Sequence, residues 1–576
     1  MTKTRLKMLT AMLLLAVMVV ASACNNNAAN NNTKNNLNDG ETTPPTNTVT
    51  EPTVPEGPEG KYDPPINITT VRQQTPGVEY LPDQTLDDNV WYREFASELG
   101  INLTNEWVVS TAQYPNKITV TMVSGDMPDF FEVDMQQFQT LAKAGQLADL
   151  TEIFDTYASD YVKSVFDEAD GLKMKSGSID GKLLGLANNG GNRDDAHSLY
   201  IREDWLKAVG RTAPKTVEEF IDVAIAFAKE DPDGNGKEDT YGLALAKDIF
   251  GGFASIDGLI NGHGGFGFNP ANGSGTNLIF LKDENGKAIF ADTQPEVKAT
   301  LEVVAQLFAA GAIHPEFSVM DGGKTGETLT ASKAGMTFGA FFVPTWPISN
   351  MHKENPEVDW GVYQVPSLDG STATVQSTGV PSRFWVVSKD SAHPEAIMKI
   401  LNYSTERLSG EKKDVGKYHT IAQNDKNYQI HTITPYYVGT SDKNQDYHYQ
   451  VVDAVKAGSD SSLDTEAKLY YEQIMKFRAG DTSQWAANKL WSEGGVFATL
   501  GKYKKDNLIQ MTAYTGAPTP TLISRGPALR DLEVRAFTEI IMGAKPIEHF
   551  DEFVKQWHEQ GGNDILAEIN ESGQLQ

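Results

Sequence analysis

Residues 231–239 place oxygen-bearing side chains at alternate positions, which are Asp231, Asp233, Asn235 and Asp239. Alternate side chains of a tightly curled loop point to one centre, and Ca²⁺ accepts irregular cages of about six to eight oxygen ligands. The spacing matches the first nine positions of an EF-hand loop, with Gly236 at the sixth and the Lys237 backbone carbonyl as ligand at the seventh. The bidentate Glu of position twelve is missing, because Gly242 stands there. The pattern predicts a structural Ca²⁺ site, and a metal-free surface turn is the alternative.

Cys24 is the only cysteine of the chain and follows a typical secretory signal. Basic residues precede an almost unbroken apolar run over residues 8–21, and small residues stand directly before the cysteine. This site resembles the lipobox of bacterial lipoproteins, in which the cysteine thiol receives a diacylglycerol, although Ala21 stands where leucine is usual. We predict a signal peptide over residues 1–23 and a lipid anchor on Cys24. A secreted protein with an unmodified cysteine is the alternative.

Composition and charge restrict the partners and the chemistry. The chain has 576 residues and a formal net charge of −28. A negative field of this size repels phosphate backbones, so nucleic acid is not an expected partner. A single cysteine near the N-terminus excludes an internal disulfide framework, a Cys-ligated zinc site and a thiol nucleophile in the folded part.

Residues 24–65 are rich in Asn and then in Thr, Pro and Glu. Such a segment buries too little apolar surface to offset the entropy cost of an ordered chain, so we predict a disordered tether that ends at residue 65. No later stretch reaches the ~18 consecutive apolar residues of a membrane span. Contact with the membrane is therefore expected through the lipid anchor alone.

From Ile66 onward the chain alternates strand-like and helix-like patterns. We predict strands at residues 66–71, 102–109, 117–124 and 130–133, and helices at residues 87–99 and 136–145. A second block has a strand at 199–202, a helix at 203–209, and a capping box of Thr216 and Glu219 for a helix to residue 230. Strands at 333–342 and 384–387 follow, and helical patterns dominate from residue 453. The alternation favours open α/β sheets, with ligand at the carboxyl ends of the strands.

In its motifs and their order the chain resembles the large extracellular solute-binding lipoproteins of ABC sugar importers in Gram-positive bacteria. The resemblance covers roughly residues 66–572. It implies an α/β, two-lobed, periplasmic-binding-protein-like clamshell of type II-like form, with a helical C-terminal region. Besides Cys24, the segments that carry it are IDGKLLGLA (179–187), LYIREDWLKAVG (199–210), PKTVEEF (214–220), DPDGNGKEDTYGL (231–243), ASKAGM (331–336) and FTEIIMGAKPIEHFDEFVKQW (537–557).

The same resemblance implies a task and a location. An oligosaccharide would bind between lobes that close on a hinge, and ABC permease subunits would receive it at the extracellular face of the cytoplasmic membrane. The implied first lobe comprises residues 66–190 with about 345–420, and the second comprises 191–344 with about 421–576. In some relatives an acidic residue at the tenth position completes the calcium cage. Here Thr240 stands there, so Thr240 or water is the expected sixth ligand.

Sugar sites combine aromatic platforms with hydrogen-bonding side chains. Trp346 follows a predicted strand and is the preferred platform, with a core position as the alternative. Trp385 lies within a predicted strand, which favours burial. Arg193 and Arg383 would suit a uronate carboxylate, but two scattered arginines do not identify the sugar. The remaining candidates, for which a solvated turn or a structural role is the alternative, are Asp129, Asn188, Asn189, Asn192, Arg202, Tyr436 and Tyr437.

Two other functions share these features. An extracellular polysaccharide-active enzyme needs only two suitable carboxylates, and acidic residues are abundant. However, the chain has no HExxH pair, GxSxG elbow or Walker phosphate loop. A cell-surface carbohydrate sensor or adhesin without transport would have the same anchor and fold. We therefore predict a binding protein that is not an enzyme.

Overall fold

The computed structural model describes residues 54–74, 78–111, 113–190, 193–267, 278–355, 357–377, 379–423 and 426–575. The predicted signal peptide, Cys24 and Asn192 lie outside these residues. Within the described residues, every helix is too short or too polar to cross a membrane.

The strands are short and follow one another along the whole described chain. In chain order they are β1 Ile66–Gln74, β2 Ile101–Ser110, β3 Phe130–Asp134, β4 Ser178–Ile179, β5 Lys182–Leu183, β6 Leu186–Ala187, β7 Ser198–Arg202, β8 Tyr241–Leu243, β9 Phe280–Lys282, β10 Ala288–Phe290, β11 Ala334–Gly339, β12 Trp360–Tyr363, β13 Val375–Ser377, β14 Arg383–Val387, β15 Thr420–Gln423, β16 Lys426–Gln429 and β17 Ile509–Met511.

Helices separate the strands and dominate the last quarter of the chain. They are α1 Val90–Glu94, α2 Tyr114–Ser124, α3 Met135–Lys143, α4 Thr151–Tyr157, α5 Asp160–Gly177, α6 Glu203–Ala208, α7 Val217–Lys229, α8 Asp257–Gly262, α9 Pro295–Ala309, α10 Gly322–Thr330, α11 Ser349–Glu354, α12 Ala396–Leu408, α13 Val415–Tyr418, α14 Lys443–Ala457, α15 Thr465–Arg478, α16 Trp485–Trp491, α17 Val496–Lys505, α18 Pro520–Ile541, α19 His549–Trp557 and α20 Asn563–Glu571.

The first sheet has the strand order β2-β1-β3-β14-β6. Strand β1 runs parallel to β2 and β3, whereas β14 is antiparallel to both β3 and β6. Apolar residues cover both faces of this sheet and form two clusters of buried side chains. We call the sheet and the elements packed on its two faces the first lobe.

The second sheet has the strand order β12-β7-β11-β8. Strand β7 is antiparallel to β11 and β12, and β11 is parallel to β8. Its buried cluster is separate from those of the first sheet and includes the C-terminal helices α18, α19 and α20. We call this sheet with its packed helices the second lobe. Two cores are expected, since a chain of more than about 300 residues rarely builds one.

The predicted lobe boundaries differ from the structure at two places. Strand β12 pairs with β7 in the second sheet, although residues 345–420 were expected in the first lobe. Conversely, Tyr428, Ile433 and Tyr436 pack in the core of the first lobe, although residues after 420 were expected in the second. Strand pairing between distant segments decides these assignments, and no local pattern reveals it.

The predicted tether extends too far, because residues 54–62 belong to the first lobe. We call these residues the N-terminal strap. The Lys399 ammonium donates to the carbonyls of Pro55 and Gly57 at 2.9 and 2.7 Å, and the Asn402 amide donates to that of Pro58 at 2.9 Å. Glu59 forms ion pairs with Arg407 and Lys412 at 3.2 and 2.8 Å. These charged and amide contacts, all with the region of α12, order a segment whose composition alone predicts disorder.

Tyr62 is the last residue of the N-terminal strap. Its ring is fully buried, its hydroxyl donates to Glu395 at 2.7 Å, and its backbone amide donates to the Leu99 carbonyl at 2.8 Å. Only glycine fits at position 100 beside Tyr62. A Cβ there would lie 2.3 Å from the Tyr62 carbonyl oxygen, and the backbone adopts a φ of +68°. The first lobe therefore begins before Ile66.

The strand predicted at residues 117–124 is wrong, because this segment is helix α2. Its β-branched residues favour a strand locally. However, Pro115 stands in the first turn of the helix, and Tyr114, Ile118 and Thr121 bury one helical face. Tertiary burial of that face outweighs the weak strand preference.

Three chain segments pass between the lobes close to one another. The first crossing contains Gly190, Asp194 and Asp195, the second follows residue 377, and the third contains residues 441–445. The Asp194 carboxylate in the first crossing accepts hydrogen bonds from the side-chain amides of Asn444 and Gln445 at the start of α14. The Ser377 hydroxyl, at the end of β13, donates to Asp195. The Ser441 hydroxyl lies 3.4 Å from the Gly190 carbonyl. We call these residues the crossing network.

Candidate functional site

A cavity of about 330 Å³ lies at the carboxyl edge of the first sheet. Strands β1 and β3 end at this edge, β14 begins there, and the chain leaves β6 there. Open α/β sheets bind ligands at this edge, and the volume falls in the range of about 300–1,000 Å³ for ligand pockets. The lining residues are Val71, Arg72, Gln73, Tyr114, Glu132, Asn188, Asn189, Arg383, Trp385, Thr432, Thr434, Pro435, Tyr436 and Tyr437.

Glu132 is the centre of the polar network in the cavity. Its carboxylate accepts hydrogen bonds from Arg383 Nη1 at 2.7 Å, the Asn188 amide at 3.1 Å and the Gln73 amide at 3.2 Å. Burial raises the pKa of Glu132, while the positive charges of Arg383 and Arg72 act in the opposite direction. The residue therefore orients three neighbouring side chains from β1, β14 and the end of β6.

Arg72 approaches the cavity from the end of β1. Its guanidinium donates to the carbonyls of Ile433 and Thr434 at 3.1 and 3.5 Å, and to the Tyr92 hydroxyl at 3.4 Å. In the part of the chain that the structure describes, no carboxylate lies within 4 Å of this guanidinium. Arg72 is thus held in place beside the cavity by neutral acceptors.

Aromatic rings form the apolar wall of the cavity. The Trp385 indole packs edge-on against Tyr436, with ring centroids 5.0 Å apart, and its N–H donates to the Tyr437 carbonyl at 3.2 Å. Tyr436 is buried and its hydroxyl bonds to that of Thr70, whereas the Tyr437 side chain is 38% exposed. Tyr437 is therefore the wall residue most open to a ligand.

Asn188 and Asn189 lie where the chain leaves the first sheet. The Asn189 side-chain oxygen accepts hydrogen bonds from the backbone amides of Ser382 and Arg383 at 3.1 and 3.3 Å. Asn188 contacts the Glu132 carboxylate, as described above. The loop thus fixes the start of β14 and, with it, the position of the Arg383 side chain.

Trp346 lies in the second lobe and does not line this cavity. It follows the carboxyl end of β11, is 41% exposed, and packs edge-on against Phe253 with ring centroids 5.0 Å apart. Phe341 and Phe342 stand beside it in the chain and contact each other. The carboxyl edge of the second sheet therefore presents exposed aromatic surface.

Asp129 and Arg202 have structural roles and lie outside the cavity. The Asp129 carboxylate accepts hydrogen bonds from the backbone amide and hydroxyl of Thr69 at 2.8 and 2.9 Å, which joins β1 to the start of β3. Arg202 is buried, donates to Asp204 at 2.7 Å, and lies over the Trp205 ring at 4.5 Å. Neither side chain lines the cavity, so the structure does not bring these two predicted residues together with the other candidates there.

The loop at residues 231–239 is curled as its sequence predicts. The Asp231 carboxylate accepts hydrogen bonds from the Asn235 and Gly236 backbone amides at 3.0 and 2.8 Å. The Asn235 side-chain amide lies 2.8 Å from Asp233 and 3.0 Å from Asp239, so these side chains converge. Among the described residues, however, no group of three or more His, Cys, Asp or Glu side chains lies close enough to hold a metal ion.

Two neighbours affect the cation-binding capacity of this loop. The Lys333 ammonium contacts the Asp239 carboxylate at 2.6 Å and supplies a positive charge there. The Thr240 hydroxyl is buried and donates to the Phe227 carbonyl of α7 at 2.7 Å. Thr240 therefore contributes to the contact between the loop and α7, and Thr240 or water stays the predicted sixth ligand. The other predicted residues supply oxygen donors of the kind that Ca²⁺ prefers, and the Asn235 side chain would have to turn its oxygen inward to join them.

The sequence analysis missed several cavity residues, above all Arg72, Gln73 and Glu132. Arg72 and Gln73 follow directly on the predicted strand at residues 66–71, and polar residues at a strand end were a usable signal. Glu132 is the one charged residue in the apolar segment FFEV of β3. Thr432 and Thr434 reach the cavity through packing between distant parts of the chain, which left no local signal.

The sequence profile described as "Bacterial extracellular solute-binding protein" matches residues 91–410, which is more than half of the chain. The chain therefore belongs to this family. Lipoprotein LipO of Bacillus subtilis (strain 168) is 26% identical over 503 residues, covering 85% of this chain and 89% of LipO. Polygalacturonan/rhamnogalacturonan-binding protein YtcQ of the same organism is 22% identical over 468 residues, covering 81% of this chain and 84% of YtcQ.

Solved structures show the same fold. The ABC-transporter substrate-binding protein FusA of Streptococcus pneumoniae, in complex with kestose, has a TM-score of 0.54 at 16% identity. The match covers 88% of this chain and 98% of FusA. The predicted two-lobed α/β clamshell is thereby confirmed, as is the predicted family. Another FusA structure, with a TM-score of 0.53, is described as an EF-hand mutant.

Proposed function

We propose that this protein is the substrate-binding component of an ABC importer and captures an oligosaccharide for a membrane permease. The cavity at the carboxyl edge of the first sheet carries this proposal, because it combines charged and amide groups with an aromatic wall. Carbon–hydrogen faces of sugars pack on aromatic rings, while hydroxyl groups need several hydrogen-bonding partners. Family membership and the kestose complex of FusA support the same class of ligand.

The second lobe supplies the opposite wall in this proposal. Trp346 and Phe253 at the carboxyl edge of β11 present an apolar surface that is half exposed before a ligand arrives. Closure of the two lobes would bring this surface onto a sugar held by the first lobe. The crossing network at Asp194, Ser377 and Ser441 is then the hinge. Closure is a population shift driven by contacts that exist only in the closed state.

A ligand screen combined with solution scattering tests the function. Oligosaccharides of several linkage types are titrated by calorimetry, and those that bind are expected to raise the melting temperature and reduce the radius of gyration. The bound sugar should be recovered intact after hours of incubation, without new reducing ends. Hydrolysis of the bound sugar would contradict a transport role, and no binding across the panel would overturn the proposed ligand class.

We also propose a structural Ca²⁺ ion at residues 231–239, held by Asp231, Asp233, Asn235, the Lys237 carbonyl and Asp239. The convergence of these side chains and the description of a FusA variant as an EF-hand mutant support it. The ion would supply the positive charge that a cluster of carboxylates requires. The curled backbone and the Lys333 contact already hold the loop in shape.

The remaining proposal concerns the location at the extracellular face of the cytoplasmic membrane. The lipobox-like sequence before Cys24 supports a lipid anchor, as does the similarity to Lipoprotein LipO. Changing Cys24 to Ser should release the protein into the culture medium without an acyl chain, which cell fractionation and mass spectrometry would show. A variant that remained with the membrane like the parent would contradict the anchor.

A further inference from the structure

Three side chains that line the cavity carry a charge, and two of them are arginines. Glu132 supplies one negative charge, while Arg72 and Arg383 supply two positive charges. The lining is therefore net positive in a chain whose formal net charge is −28. Of the two arginines, only Arg383 forms an ion pair with a carboxylate of the described residues.

Arg383 offers one side of its guanidinium to the cavity. Its Nη1 donates to Glu132 at 2.7 Å, while Nε and Nη2 make no hydrogen bond with any of the described residues. The side chain is 42% exposed, and Asn189 fixes the backbone from which it projects. The Nε and Nη2 groups of arginine match the two oxygens of a carboxylate in a planar, bidentate geometry.

Arg72 adds a second positive charge on the other side of Glu132. Neutral acceptors hold its guanidinium, and among the described residues no carboxylate lies within ion-pair distance of it; its charge acts on Glu132 from farther away. Charges interact more strongly at a partly buried site than in bulk water. An anionic group in the cavity would therefore be attracted by both arginines.

We propose that the glycan bound here carries an oxyanion substituent, a uronate carboxylate or a sulfate ester, which Arg383 binds through Nε and Nη2 and Arg72 attracts. The inference rests on the proposed function, because it concerns the ligand of the same cavity. A neutral glycan would satisfy hydrogen-bond donors but would leave the positive charge of the lining uncompensated.

Matched pairs of glycans test the proposal on the whole mature protein. Oligomers of galacturonate, glucuronate and alginate are each compared by calorimetry with the same oligomer after chemical reduction of its carboxyl groups, and a sulfated galactan oligomer forms a separate arm. At least one acidic oligomer is expected to bind about tenfold or more tightly than its reduced partner, with an affinity that falls as salt is added. Binding of the sulfated oligomer alone would identify the sulfate ester as the source of the oxyanion.

Substitutions of Arg383 test whether this residue causes the preference for acidic over reduced oligomers. Arg383→Gln should bring the affinity ratio of acidic to reduced oligomer close to one, and Arg383→Lys should retain part of it, because lysine keeps the charge without the bidentate geometry. Melting curves without ligand establish that both variants are folded. Arg93→Gln is the matched control, since Arg93 forms exposed ion pairs with Asp83 and Asp88 and does not line the cavity.

The outcomes separate this inference from the function on which it rests. Reduced oligomers that bind as tightly as acidic ones would overturn the inference and leave an oligosaccharide-binding protein. An unchanged ratio in Arg383→Gln would also overturn it. If none of the acidic, reduced and sulfated glycans bound, the proposed function itself would fail.

Discussion

The carboxyl edges of the two sheets have different surfaces. In the first lobe the edge is a cavity in which charged and amide side chains hydrogen-bond to one another. Trp385 in its wall is only 8% exposed. In the second lobe the edge presents Trp346, which is 41% exposed and packs edge-on against Phe253. The two tryptophans thus have opposite environments, which agrees with the predicted positions of Trp346 after a strand and Trp385 within one. The first edge presents polar groups, and the second presents the apolar surface that would contact the sugar on the proposed closure.

The largest expected effect distinguishes these two tryptophans by stability. Trp385→Ala should lower the free energy of unfolding by about 3–5 kcal/mol, because it removes a buried aromatic ring from the cavity wall. Denaturant unfolding without ligand measures this loss, and Trp385→Phe should recover much of it. If Trp385→Ala were as stable as the parent, Trp385 would not be a buried residue, and the difference in burial between Trp385 and Trp346 would be wrong.

Calcium should act on the second lobe alone. At about 100-fold excess over its dissociation constant, Ca²⁺ should raise the free energy of unfolding by about 2.7 kcal/mol, because it binds the folded loop and not the unfolded chain. Combined substitution of Asp231 and Asp239 by Asn should abolish this gain while leaving glycan affinity in the first-lobe cavity unchanged.

Asp283→Asn serves as the control for calcium. Asp283 accepts backbone hydrogen bonds from Asn285 and Lys287 in another exposed turn of the second lobe, where only Asp283 and Asn285 continue the alternating oxygen pattern. This variant should keep the full calcium response in thermal unfolding. Identical melting curves of the parent in calcium and in chelator would count against an ion at residues 231–239.

Trp346→Ala should separate binding from stability at the second edge. Affinity for the cognate glycan should fall about tenfold, as for a binding residue that supplies an aromatic platform, while the free energy of unfolding changes by less than about 1 kcal/mol. Calorimetry and denaturant unfolding of the same preparations provide both values, and Trp346→Phe should bind at an intermediate level. Unfolding of Trp346→Ala would instead assign this ring to the core.

The smallest expected effect is a pH dependence that only the first edge should show. Burial raises the pKa of Glu132, against the positive charges of Arg383 and Arg72. An anionic ligand raises that pKa further, so binding takes up protons and affinity should rise about threefold between about pH 7.5 and 5.5. Glu132→Gln should remove the slope in calorimetric titrations. A reduced, neutral oligomer should show no such rise, and an affinity that falls with falling pH would contradict the assigned sign.

Local patterns predicted the regular parts of this fold. Strand β1 and the capping box of Thr216 and Glu219 follow from alternation and spacing, and the structure contains both. The helix at residues 114–124 was missed because β-branched residues dominate it, and the strap was missed because its partners lie on α12. In the cavity, Asn188 and Tyr437 came from local composition, whereas Arg72 and Glu132 became recognisable only when β1, β3 and β14 were placed side by side.

The strap also determines how a mechanical load would enter the protein. Its contacts advance along α12 in chain order, from Lys399 through Asn402 to Arg407, over about 12 Å of helix. A pull on the chain ahead of residue 54 would shear these contacts together instead of opening them one after another. Such a load would enter the folded part of the protein through helix α12 of the first lobe.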